Sequence, residues 1–267
     1  MWYRIIPALL FAVSLAAQTG QETAKSASDR GSAAYQEKRF DEATAAFETA
    51  VRLEPGNVAY HLRLGEMYSF SWGANNFSAE NLRLRTRAEA EYRIALGIDP
   101  NSKRAVAALS SMKFVQAKEL AADGPNRTER DNYFAEAESF DRRLIQIDPH
   151  DVNSLSMSGV HAAWRAGPEL MRARERLRMS AGEAGPLNDP ALRADLLARY
   201  GSLIDEGIED LNKALVINPD FPDALQFLSR LYRSRADLAD STAAYQRDTA
   251  LADAFEVRAA AGKKPTD

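Results

Sequence analysis

Apolar residues recur along the chain at intervals of three and four, and the recurrence stops at prolines. The clearest run is Leu192, Leu196, Tyr200, Leu203, Ile204, Ile208, Leu211 and Leu215, which at helical spacing forms one side of a single long amphipathic helix. Asp189 and Pro190 stand ahead of it as an N-cap and a first-turn proline. Four segments close alike: AVRLEP at 50–55, ALGIDP at 95–100, LIQIDP at 144–149 and ALVINP at 214–219. Proline has no N–H with which to continue a helix, so each segment marks a helix end. No stretch alternates apolar and polar residues between turn signals as a strand would. The pattern predicts eleven helices, with a separate one at about Pro168 to Ala181 and with Asp41 capping the helix that carries Ala43.

Ten residues beyond each of the four prolines stands a small residue, Gly65, Ser110, Gly159 or Ser229, where a short side chain lets a neighbouring helix approach closely. Upstream of the first proline, Gly31, Ala43, Phe47 and Ala50 fall in register with it, and the second unit repeats the order with Gly65, Ala88, Tyr92, Ala95 and Pro100. The third unit departs, with Ala137, Asp141 and Leu144 where an aromatic and an alanine are expected, and the fourth has Leu211, Ala214 and Pro219. This order resembles the tetratricopeptide repeat, whose units carry a small residue in helix A and then alanine, aromatic, alanine and proline along helix B. Successive prolines lie 45, 49 and 70 residues apart, against a family period of about 34. The constant interval after each proline puts the extra length between helix A and helix B of a unit, at about 68–84, 117–131 and 162–189.

The resemblance implies an all-α fold, a right-handed α-solenoid of stacked antiparallel helix pairs, with units at about 24–55, 57–100, 102–149, 151–219 and 221–261. It also implies that the A helices line a concave face open to a partner. Carried over from the matching small residues, the candidate binding positions are Glu66, Phe70, Arg104, Phe114, Asn153, Trp164, Gln226, Arg230 and Arg233. That mixture suits a protein or peptide segment with acidic and apolar groups. The lysine and asparagine clamp that some members use for a terminal carboxylate is not reproduced.

The N-terminus follows a different logic. Arg4 is basic, Ile5 to Ala17 is apolar, and Ser14, Leu15 and Ala16 offer small residues before the chain turns polar at Gln18. This is the order of a secretory signal, too short to span a membrane comfortably. Residues 1–17 are therefore expected to be a signal peptide, 18–261 a single helical domain and 262–267 a disordered tail, with the mature protein periplasmic or secreted. Membrane contact is expected only if the first segment stays uncleaved.

Composition narrows the chemistry. There is no cysteine, which excludes disulfides, thiolate metal sites and a cysteine nucleophile. A formal charge of -4 does not favour nucleic acid. The histidines are His61, His150 and His161, none spaced to share a metal with another, and no phosphate loop, dinucleotide fingerprint or serine-nucleophile motif occurs. Neither enzyme activity, cofactor nor metal is expected. Two arginine-rich stretches, one with Arg83, Arg85 and Arg87 and one with Arg165, Arg172, Arg174, Arg176 and Arg178, read either as solvated helix partnered by Glu169 and Glu175 or as a docking surface for anionic groups. An interaction scaffold is the leading expectation. The second is a periplasmic accessory that binds a small molecule for a solute-transport system.

Overall fold

The computed structural model describes residues 22–71, 78–120, 125–180 and 183–261. Those residues form ten α-helices and no strand. The chain divides into two compact units, Met1–Pro55 and Gly56–Asp267. The expected signal peptide and tail, and the aromatic residues Trp72 and Phe77 of the first long interval, lie outside the described residues.

In the first unit α1 (Ala24–Gln36) and α2 (Phe40–Leu53) form a hairpin. Thr23 and Ser26 cap α1 reciprocally: the Ser26 N–H donates to Thr23 Oγ1 at 3.1 Å and the Thr23 N–H to Ser26 Oγ at 3.0 Å. At its other end Lys38 is left-handed (φ 61°), while the Lys38 and Arg39 N–H groups return to the carbonyls of Tyr35 and Ala34 and satisfy two of the free acceptors there. The chain then enters α2 at once. Asp41 is therefore inside the first turn of α2, not its cap, which is Arg39. Phe47 lies over Gly31: a Cβ on the glycine would be 3.0 Å from the ring.

The second unit contains four hairpins: α3 (Val58–Ser71) with α4 (Ala79–Ile98), α5 (Lys103–Glu119) with α6 (Arg127–Ile147), α7 (Val152–Arg176) with α8 (Pro190–Ile217), and α9 (Pro222–Asp237) with α10 (Thr242–Ala261). Helices α4, α6 and α8 end two residues before their prolines, as the sequence predicts. The residue between them closes the turn. Asp99, Asp148 and Asn218 each donate their N–H to the carbonyl four residues back and accept, on the side chain, the N–H two residues on. Asp or Asn before proline thus supplies the turn that the proline forces.

Small residues at the predicted positions receive helix B of their own hairpin. A Cβ on Gly65 would lie 2.8 Å from Tyr92 Cε1, and one on Gly159 2.3 Å from Leu211 Cγ. Gly207 of α8 faces Ala162 and Leu231, so α7, α8 and α9 meet in one core with Leu155, Leu170, Ile204 and Leu228. Much of the extra length is helix: α7 and α8 have 25 and 28 residues, whereas α1 and α2 have 13 and 14.

The expected separate helix at 168–181 is instead the last part of α7, which runs through Pro168 without a break. Two features permit this. Gly167 has no Cβ to meet the proline ring, and Ala166, Leu170 and Ala173 are buried on one face, so core packing continues across the missing hydrogen bond. Helix α8 begins as predicted, with Asp189 accepting the N–H groups of Ala191 and Leu192 at 2.9 and 3.0 Å.

Candidate binding cleft

Helices α7, α9 and α10 enclose an open cleft of about 460 Å³. Trp164, Pro168, Leu170 and Met171 of α7 form one wall, and Arg230 of α9 and Tyr245 of α10 stand on the other side. The helical spacing of Trp164, Pro168 and Met171 places them along one stripe of α7. Met171 is 65% exposed and Trp164 39%, so two large apolar side chains line the rim in contact with water.

One end of the cleft is closed by an ion pair. Arg174 reaches Asp237 of α9 and donates to the Glu183 carbonyl at 2.6 Å, joining α7 to the connector that precedes α8. Burial raises the Asp237 carboxyl above its ordinary range, against the opposing pull of Arg174. At the other side of Trp164, α5 contributes an aromatic and cationic cluster. Phe114 stacks on His161 with centroids 4.0 Å apart and meets Trp164 edge-on at 6.4 Å. Lys118 Nζ sits 4.0 Å from the Trp164 ring centroid.

Of the sequence candidates, Trp164, Arg230 and Arg233 line this cleft, and Phe114 adjoins it through Trp164. Glu66 and Arg104 instead pair with each other, between α3 and α5. Arg233 pairs with Asp253 at 2.9 Å and Glu256 at 2.6 Å on α10. Asn153 is exposed in the first turn of α7, where its N–H donates to the capping Asp151. Gln226 and Phe70 are exposed, on α9 and α3, and do not line the cleft. Sequence reasoning passed over Met171 and Lys118. Met171 lies in the interval read as an insertion; Lys118 lies one turn beyond Phe114, a spacing that was available.

The arginine-rich stretches are largely occupied within the fold. Arg85 pairs with Glu119 at 2.6 Å, Arg165 grips both oxygens of Glu138 at 2.6 and 2.7 Å, and Arg172 pairs with Glu169. Burial raises the Glu138 carboxyl even with Arg165 beside it.

Three buried polar residues, Ser110, Asp141 and His161, meet where α5, α6 and α7 adjoin. The Ser110 hydroxyl donates to Asp141 Oδ1, and His161 Nδ1 is 2.6 Å from Asp141 Oδ2. The order is wrong for nucleophilic catalysis, because serine and histidine both address the carboxylate and the histidine does not face the hydroxyl. The cluster explains why Asp141 stands where an aromatic was expected: it fills the position opposite Ser110 with a hydrogen-bonded group and reaches on to α7. Among the described residues no group of three histidine or acidic side chains is placed to hold a metal, and no helix is long and apolar enough to cross a membrane.

Residues 24–57 match the tetratricopeptide repeat family model. The chain is similar to a crystal structure of the MamA protein, with 17% identity, a TM-score of 0.54, and coverage of 92% of this chain and 98% of that one. A second MamA structure gives 16% identity, a TM-score of 0.51, and coverage of 86% and 96%. No curated protein matches the chain. One tetratricopeptide repeat is therefore recognisable at 24–57, and the helix pairs of the remaining described residues are similar in fold to those structures.

Proposed function

We propose that this protein is a non-enzymatic scaffold that holds a segment of another protein in the cleft between α7, α9 and α10. The observation that carries the reading is the rim itself: Trp164 and Met171 are exposed along one stripe of α7, over an apolar wall. Large apolar side chains around a concavity are the usual anchors of protein interfaces, and the repeat fold is one whose surfaces are read by other proteins. We also propose export, on the basic start, apolar run and small-residue site of residues 1–17. Two experiments test these readings. Cross-linking from a photoreactive amino acid at position 171 in the native cell should yield a defined protein adduct, lost when Trp164 is replaced by alanine; absence of any adduct removes the cleft. N-terminal sequencing of the mature protein should begin near Gln18, and recovery of Met1 removes the cleavage.

A further inference from the structure

We infer that the segment held in this cleft carries an apolar side chain flanked on both sides by carboxylates, and that Lys118 and Arg230 receive those carboxylates; this rests on the cleft being the binding site. Most cations near the A helices are neutralised within the fold. Arg104 is paired with Glu66, Arg165 with Glu138, Arg174 with Asp237, and Arg233 with Asp253 and Glu256. Lys113 lies between Glu89 at 2.9 Å and Glu136 at 3.3 Å. Lys118 and Arg230 differ: among the described residues neither has a carboxylate in ion-pair range, and both are exposed.

Each is instead held over aromatic rings. Lys118 Nζ is 4.0 Å from the Trp164 centroid and 5.2 Å from that of Phe114, and the Arg230 guanidinium is 4.9 Å from that of Phe227. A ring face fixes a cation in place without cancelling its charge. Helix α7 lies between the two, contacting α5 through Phe114 and His161 and packing on α9. Two positioned, uncompensated positive charges therefore bracket the apolar stripe of Trp164, Pro168 and Met171. A ligand that buries an apolar group there and leaves both cations unanswered forgoes the attraction; one with a carboxylate on each side meets both, and the Arg230 fork favours a two-point contact.

The test uses the full chain and a phage-displayed library of random dodecapeptides, with circular dichroism confirming that every variant is folded. Selected peptides should carry aspartate or glutamate on both sides of a leucine, methionine or aromatic residue. Their affinity should fall on the order of tenfold with Lys118→Glu and with Arg230→Glu, stay unchanged with Arg83→Glu on α4, which does not line the cleft, and vanish with Met171→Arg. Peptides that are lost with Met171→Arg but indifferent to both charge reversals overturn this inference and leave the cleft standing. Peptides indifferent to Met171→Arg, or a library that yields no binder, overturn the cleft reading together with it.

Discussion

Gly159 shows how a single missing methyl group organises a hairpin. Alanine is ordinarily the better helix former by about 1 kcal/mol, yet a Cβ at this position would lie 2.3 Å from Cγ of the fully buried Leu211. Overpacking outweighs propensity, and Gly159→Ala should destabilise the protein by about 1 to 3 kcal/mol. In a Leu211→Ala background the same change should become neutral or stabilising, because the obstructing side chain is gone. Denaturant unfolding of the four proteins checks both signs. Arg178 poses the opposite case. It holds a left-handed conformation, φ 57°, at the end of α7, with its N–H and that of Met179 returned to the carbonyls of Glu175 and Arg174. A side chain there is strained by about 1 to 2 kcal/mol, part of which glycine gives back as unfolded-chain entropy. Arg178→Gly should raise the unfolding free energy by a few tenths to about 1 kcal/mol, moving the denaturant midpoint up with an unchanged slope.

At the scale of elements, α7 is where the sequence pattern misleads, and Gly167 is the reason. Proline at 168 reads as a helix boundary, but the residue before it has no Cβ, so the helix passes through. The two positions should therefore be coupled: Gly167→Ala should destabilise the natural protein and stabilise a Pro168→Ala variant, with an interaction energy of about 0.5 to 3 kcal/mol in the double-mutant cycle. Equal effects in both backgrounds would leave the continuity of α7 to core packing alone. The same contrast explains what was legible. Helix ends at Asp99, Asp148 and Asn218 are local turns whose residues act on their immediate neighbours, and the glycines opposite Phe47, Tyr92 and Leu211 recur at fixed spacing. The candidate cleft is not local. Arg104 and Arg233 resemble Arg230 in sequence, and only their partners on other helices, Glu66, Asp253 and Glu256, separate neutralised cations from available ones. Asp141 likewise gains meaning only when Ser110 and His161 are brought to it.

Across the whole molecule, carboxylates buried between helices make stability depend on pH in two opposed ways. Burial pulls the Asp248 carboxyl up, but Arg235, which binds both of its oxygens at 2.8 and 2.9 Å, and Arg247 outweigh it and hold it below the ordinary range. Glu89 is lowered in the same way, its burial outweighed by Lys113 and Arg93. A carboxyl depressed by folding contributes stability that is full above its unfolded value, about 4, and lost as pH falls through the folded value. Glu138 and Asp237 have the reverse shift: burial raises both, despite Arg165 and Arg174. The folded state takes up these protons first, so each gains stability as pH falls from the raised value towards about 4. Stability should thus rise modestly from neutral pH into the mildly acidic range, pass through a maximum above the ordinary carboxyl values, and fall steeply below them. Urea titrations at a series of pH values should show Asp248→Asn less stable at neutrality, by about 1 to 3 kcal/mol for the negative charge and the second acceptor oxygen that Arg235 and Arg247 lose, with a shallower acid limb than the natural protein. Glu138→Gln should flatten the other limb. If Asp248→Asn keeps the full acid slope, the loss at low pH comes from other carboxylates, and the Arg235 pair between α9 and α10 is not what the proton releases.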